Sequence, residues 1–280
     1  MDRKLIGSMT AKGGFLNERI VCEKFNNWQN DIEAKLWLEY MRFNINKIKS
    51  VKAIQIPTRI KKEDVIKYGY TIDEYGELVR FKKADLQIKV IIEIGDIIKV
   101  ENISLKKANS NANYNQIDKR TIDVYKGLWG FDEEIAFWLK LFTGEYLPVK
   151  FLEKNKIDEL KDKKKKRLFL NEMPENIQIK IKNFFEQNKV LIVSDILKGR
   201  YGFSVNWFLV TKFNKNENYT DWILRDINTT MNFFSYGATE ISPKGSLKIG
   251  RITMQRKGGT PDPTKLQFKI NPCDLFESVA

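Results

Sequence analysis

The chain has 280 residues and a formal net charge of +13, from 49 lysines and arginines against 36 aspartates and glutamates. Histidine is absent, which excludes imidazole acid/base catalysis, Ser/His/Asp and Cys/His triads, histidine-ligated zinc and the histidine-centred nuclease motifs. Any chemistry must run on carboxylates, lysines, tyrosines, hydroxyls or a hard, oxygen-bound metal, in a chain whose 42% hydrophobic and 12% aromatic content suits a packed core.

Residues 10–28 place Phe15, Cys22, Phe25 and Trp28 at helical spacing behind Thr10, a residue suited to an N-cap, and predict an amphipathic helix. A second helix is predicted over 31–43, with Asp31 as cap and Ile32, Leu36, Leu38 and Met41 available for packing. Alternation over 51–56 (VKAIQI), ended by Pro57, predicts a strand. Residues 57–83 are polar, are broken by Gly69 and Gly76, and read as an insertion. The strongest β signal follows, where 84–94 (ADLQIKVIIEI) and 97–108 (IIKVENISLKKA) flank a Gly95-Asp96 turn, a hairpin signature. After a polar loop at 109–113, helices are predicted at 116–129 and 132–142, then a lysine-rich surface segment at 153–167, a helix at 174–187 and a buried strand at 190–194. Strands at 203–213, 247–255 and 265–270, with a helix at 222–234, complete the series.

Strands and helices mix without repeat or linker. The expected fold is therefore α/β (α+β mixed), a single domain over 1–280 with a central mixed sheet flanked by helices. Cys22 and Cys273 match no metal spacing and are expected to remain unpaired in a reducing compartment. The start lacks an apolar leader and no run approaches the roughly 18 apolar residues of a membrane span, so a cytoplasmic protein with no membrane partner is expected.

The positive charge concentrates in two places. Residues 161–167 read KDKKKKR, a solvated turn or helix end. Between 244 and 269, seven basic residues (Lys244, Lys248, Arg251, Arg256, Lys257, Lys265 and Lys269) face the single Asp262 and are interleaved with strand-type residues that would fix their positions.

Within the hairpin, Asp85 opens the first strand, while Ser104 and Lys106 lie two apart near the end of the second and share a face. A carboxylate opposite an X-x-Lys pair is the layout of the PD-(D/E)xK nuclease site. Asp85 would hold Mg²⁺, which prefers oxygen ligands, polarises a phosphate and acidifies water; Lys106 would place positive charge beside the attacking water and the developing phosphorane. Ala84 stands in place of the usual Pro, and Ser104 where an acidic ligand is expected.

Further stretches carry a resemblance: GSMTAKGGFLNE at 7–18, KSVKA at 49–53, NQIDK at 115–119, FTGE at 142–145, SDILKGR at 194–200, WILRDIN at 222–228, GRITMQRKGG at 250–259 and LQFKINP at 266–272. In order and across most of its length, the chain resembles the small type II restriction endonucleases that cut four-base palindromes, above all those that cleave within GCGC, and more distantly the MspI group. The resemblance implies Mg²⁺-dependent hydrolysis of both strands of duplex DNA and host defence, with a cognate DNA methyltransferase as genetic partner. Asp85, Ser104, Lys106 and Glu18 would be the catalytic residues, with Asp85 and the Leu105 carbonyl as metal ligands and Glu18 as a water-mediated ligand or general base. Gln116 would enter the DNA near the scissile step. Lys119, Arg251, Gln255, Arg256, Lys257, Gln267 and Lys269 join it as candidates for base or phosphate contacts, with Gly258 and Gly259 allowing close backbone approach. Palindromic cutting suggests two-fold symmetry while members of the group also bind DNA as monomers, so monomer and homodimer both stand. The rival reading is a sequence-specific DNA-binding protein in which Ser104 marks a decayed nuclease site.

Overall fold

The computed structural model describes residues 3–92, 97–108, 114–214, 219–257 and 264–277. The Gly95-Asp96 turn, the 109–113 loop, and Gly258 and Gly259 lie outside the described residues. In chain order the elements are α1 (Arg3–Asn26), α2 (Ile32–Tyr40), β1 (Ile48–Gln55), α3 (Tyr75–Phe81), β2 (Leu86–Ile92), β3 (Ile98–Ala108), β4 (Asn115–Arg120), α4 (Ile122–Trp129) and α5 (Glu133–Thr143). There follow α6 (Lys154–Glu159), α7 (Glu175–Gln187), α8 (Lys189–Val193), β5 (Trp207–Asn214), β6 (Tyr219–Asp226), α9 (Ile227–Ser235), β7 (Thr239–Ile241), β8 (Leu247–Ile249), β9 (Ile252–Arg256), β10 (Leu266–Ile270) and α10 (Asp274–Glu277).

The chain forms two compact units, the first from residues 1–113, 197–231 and 272–280, the second from 114–196 and 232–271. The first unit carries a mixed sheet in the order β1-β2-β3-β5-β6, in which only the β3–β5 pair is parallel. The mixed sheet flanked by helices is the expected fold class. Alternation decides which face is covered: Val51, Ala53, Leu86, Ile88, Val90, Ile103, Leu105 and Leu209 point to one side and pack with Val21 and Phe25 of α1 and Trp37 and Leu38 of α2. Phe25 and Leu38 are 0% exposed and Trp37 1%, so each contributes about 1.5–3 kcal/mol of burial. Trp37 stacks edge-on to Trp222 and tilted against Phe25 at centroid distances of 5.8 and 5.2 Å. Residues 57–83, read from the sequence as an insertion, bury Val65, Tyr68, Leu78 and Phe81, with Tyr68 and Tyr70 edge-on to Phe203.

The second unit carries a separate antiparallel sheet, β4-β10-β9-β8-β7, where the sequence suggested one sheet for the whole chain. Its Phe268 packs edge-on against Tyr125 and Trp129 of α4. Asp195 of the SDILKGR stretch is buried and accepts the Trp129 Nε1–H at 3.0 Å, so this acid is used structurally.

Several element boundaries differ from expectation. The first helix begins at Arg3, leaving Thr10 inside it. The predicted helix at 116–129 is the strand β4 followed by α4, because the Thr121 hydroxyl accepts the Val124 N–H and starts the helix there. The predicted strand at 190–194 is α8 running into a π-helix over Ser194–Lys198; Val190 is 85% exposed while Ile192 and Val193 are buried, and a short apolar run of this kind carries no period that separates strand from helix. The strand expected at 203–213 begins at Trp207, and that at 247–255 is the β8–β9 hairpin, turning at Gly250. Gly250 has φ +55, and a Cβ there would lie 2.6 Å from the Ser235 carbonyl, so only glycine fits that turn.

The predicted helix at 222–234 is β6 leading into α9, and one residue makes the switch. The Asp226 carboxylate accepts the N–H groups of Asn228 and Thr229, both at 3.0 Å. Burial pushes its pKa up, but the hydrogen bonds from Thr229 and Asn228 outweigh that and hold the carboxyl below its usual range. A depressed pKa contributes stability above the unfolded value that is lost as pH falls through the folded value. Asp226→Ala is expected to cost about 0.5–2 kcal/mol at neutral pH, with the deficit starting to shrink below the ordinary carboxylate value of about 4 and lost only as pH falls through the depressed folded value; urea melts at neutral and at strongly acidic pH check this.

Candidate active site and recognition sheet

Asp85 sits just before β2 and is pinned by its backbone, which donates to the Ile103 carbonyl and accepts the Ile56 N–H, both at 2.8 Å. The preceding Lys83 and Ala84 N–H groups both donate to the Phe203 carbonyl. The carboxylate is therefore held still. The β2–β3 register pairs Leu86 with Ile103 and brings the next residues of β3 against Asp85. Its Oδ2 accepts from the Leu105 N–H at 2.7 Å, the Ser104 hydroxyl at 3.1 Å and Lys106 Nζ at 3.3 Å. Lys106 Nζ also donates to the Leu105 carbonyl at 3.2 Å. The side chains of Asp85 and Lys106 are 22% and 17% exposed, a setting in which an ion pair is only weakly screened.

Glu18 comes to this centre from α1. Its Oε2 accepts from Gln55 Nε2 at 2.7 Å, and burial followed by the Asp85 charge raises its pKa, against the lowering influence of Gln55, Lys106 and Lys82. The four residues marked by the sequence, Asp85, Ser104, Lys106 and Glu18, thus lie in one electrostatic neighbourhood. Lys82 belongs to the same field and was not singled out by sequence. Burial lowers its pKa, while the Asp85 and Glu18 charges oppose that shift. The available signal was its place three positions before Asp85.

Both oxygens of Asp85 differ in what they can do. The hydrogen bonds converge on Oδ2, which leaves Oδ1 open to a cation. One carboxylate, the Leu105 carbonyl and a second carboxylate in the field of the first form an all-oxygen donor set suited to a hard cation that keeps several of its waters. Among the described residues no group of three or more His, Cys, Asp or Glu side chains forms a fuller cage.

In the second unit, β10 organises the recognition candidates. Gln267 pairs with Gln255 on one side and Lys119 on the other, and Lys269 pairs with Thr253 and with Gln116. Gln116 and Lys119 are three apart and would face opposite ways in a regular strand. A register shift beside Phe268 and Lys269 corrects this and puts both on the face of Gln267 and Lys269. Lys257, two after Gln255, continues that face, and its charge, after burial, lowers the pKa of Lys269. Lys248, which pairs with Thr253 and donates to its hydroxyl at 2.7 Å, lies on this face too; the two-residue period of the strand was the signal that could have marked it. Two candidates are placed elsewhere. Arg256 pairs with the buried Leu266 and so belongs to the opposite face at the strand end. Arg251 lies at the far end of the hairpin with its guanidinium 4.2 Å from the centre of the Phe233 ring.

The fold around this centre is a restriction-endonuclease fold. It is similar to that of restriction endonuclease MspI, seen in a crystal structure with its cognate DNA, at a TM-score of 0.59 and 11% identity, covering 96% of this chain and 93% of that one. The chain belongs to the R.HinP1I restriction endonuclease family, whose family model matches residues 71–276. It is thereby a type II restriction endonuclease, a DNA hydrolase. Comparison with curated proteins gave no match.

Proposed function

We propose that the chain is a Mg²⁺-dependent endonuclease of the PD-(D/E)xK kind that hydrolyses both strands of duplex DNA at a short palindrome, with GCGC as the candidate site. The observation that carries this reading is the convergence of the Ser104 hydroxyl, the Leu105 N–H and Lys106 Nζ on one oxygen of Asp85, in a member of a restriction-endonuclease family. Asp85 Oδ1 and the Leu105 carbonyl would hold the ion, with Glu18 reaching it through water. When bound, Mg²⁺ supplies positive charge to the scissile phosphate and acidifies water near it.

The chain's own groups do the rest. Lys106, restrained between Asp85 and the Leu105 carbonyl, donates towards the incoming water and the phosphorane charge. Glu18, whose burial raises its affinity for protons, accepts the proton that water releases. The water oxygen bonds to phosphorus, the bond from phosphorus to the 3′ oxygen breaks, and that oxygen takes up a proton, leaving 5′-phosphate and 3′-hydroxyl ends. Ser104 orients Asp85 by its hydrogen bond. Gln116, Lys119, Gln255, Lys257, Gln267 and Lys269 form the base- and phosphate-contacting face, with Arg256 and Arg251 reaching DNA from outside it.

Residues 1–280 act as one functional domain, in host defence in the cytoplasm, as a monomer or homodimer and alongside a cognate methyltransferase; among the described residues no helix is long and apolar enough to cross a membrane. The test is digestion of phage DNA by the purified protein with Mg²⁺. Discrete fragments are expected, and sequencing their ends gives the site and cut position. Binding without cutting in any divalent ion would overturn the nuclease reading in favour of a decayed site.

A further inference from the structure

The sheet of the second unit has one covered face and one polar face. Leu247, Ile249, Ile252, Met254 and Phe268 are 0% exposed, and the side chains that alternate with them point the other way. Register lines those up across four strands: Lys248 of β8 pairs with Thr253 of β9, Thr253 with Lys269 of β10, and Lys269 with Gln116 of β4. Two of the four, Lys269 and Gln116, are candidates for DNA contact already. Lys248 stands in the same row, two strands beyond Lys269.

Lys248 is held in place. Its Nζ donates to the Thr253 hydroxyl at 2.7 Å and lies 5.5 Å from the centre of the ring of Tyr114, two residues before Gln116. β8 and β4 are three strand spacings apart, about 14 Å, so an approach of 5.5 Å means that the two side chains reach towards each other across the polar face. Glu240 of β7 is the register partner of Lys248 on its other side. Among the described residues Lys248 nevertheless forms no ion pair, and its ammonium turns inward to the hydroxyl and the ring. Fixing a lysine costs rotamer freedom. The ammonium has three donors, of which Thr253 takes one, and the remainder lie ready for acceptors that the chain does not supply.

We propose that Lys248 is a further DNA-contacting residue of the recognition face, donating to an acceptor atom of duplex DNA, either the O6/N7 edge of guanine or a phosphate oxygen. Tyr114 is the positioning residue that holds its ammonium over the row. The proposal rests on the nuclease reading above and extends its recognition face from β4, β10 and β9 to β8.

The experiment measures equilibrium binding of the full chain to a duplex bearing the site mapped by end sequencing and to a scrambled duplex, across salt, with Ca²⁺ replacing Mg²⁺. Lys248→Met, which keeps the stem, is expected to weaken binding to the mapped site about 5- to 50-fold. A guanine contact confines the loss to the mapped site. A phosphate contact weakens both duplexes and lowers the slope of log affinity against log salt by about 0.9. Tyr114→Leu is expected to lose about 3-fold alone and nothing further on top of Lys248→Met, while Tyr114→Phe, which keeps the ring, binds as wild type; losses that simply add would refute the positioning role.

Binding of both duplexes by Lys248→Met within two-fold of a wild type that cuts overturns the proposal and leaves the nuclease reading intact. If the wild type binds without cutting, the nuclease reading falls, and a site selected from random duplexes serves for the same comparison. A wild type that neither cuts nor prefers any duplex removes both. Melting midpoints check folding, and if Lys248→Met melts early, Lys248→Gln is judged by the same two-fold limit.

Discussion

Asp85→Asn is expected to remove DNA cleavage, by at least about 10³-fold in single-turnover rate, while leaving duplex binding in EDTA equal to or tighter than wild type. Asparagine has nearly the shape of aspartate and keeps one acceptor for the Leu105 N–H, the shortest of the three bonds on Oδ2 at 2.7 Å, so the fold should survive. What disappears is the negative charge that would hold a cation and balance Lys106. The same loss relieves repulsion between this carboxylate and the DNA phosphate, which is why affinity should not fall. Asp85→Ala is the less clean variant, because it strands buried donors at a cost of about 1–3 kcal/mol. Cleavage by Asp85→Asn within ten-fold of wild type would show that the centre lies elsewhere.

Lys106→Ala should also silence cutting, by about 10²–10⁴-fold, and the loss should fall on kcat rather than KM. Lys106 is 17% exposed and tied to both Asp85 and the Leu105 carbonyl, so it is positioned for a reacting group and offers little surface to DNA. On the proposed reading, in which the second unit's sheet face contacts DNA, binding should stay within a few-fold of wild type. Arginine is not expected to rescue, since its planar fork cannot occupy the point between Asp85 and Leu105 that an ammonium fills. A parallel loss of affinity and rate, measured by titration and rapid quench, would instead make Lys106 a DNA-anchoring residue.

The central hairpin was legible because its alternation is strong and its face assignments follow from a period of two; Asp85, Ser104 and Lys106 met as the spacing required. What failed was local competition between strand and helix. The runs at 116–129, 190–194 and 222–234 each contain apolar residues at ambiguous spacing, and the deciding features were single caps, Thr121 and Asp226, whose side-chain oxygens start helices four to six residues inside the expected bounds. The second sheet was hidden for another reason: its strands β7 and β8 are each three residues long, too short to show a period. Arg256 was expected, with its neighbours Gln255 and Lys257, among the candidates for DNA contact. Its register partner is buried Leu266, which only the pairing could reveal.

The register shift in β4 explains why Gln116 and Lys119 can act together, but the parallel pairing of β3 with β5 has the wider consequence. The strand bearing Ser104 and Lys106 ends at Ala108 and its neighbour begins at Trp207. At about 5–20 residues per second, the ribosome needs roughly 5–20 s to supply that neighbour. For that interval the strand has an unpaired edge, and its Asn102 lacks the Asn206 side chain that later accepts its N–H at 2.9 Å. A nascent or truncated chain ending before β5 therefore carries every charged residue of the proposed centre without the neighbouring strand that completes its sheet, so the alignment of that centre waits until most of the chain has been synthesised.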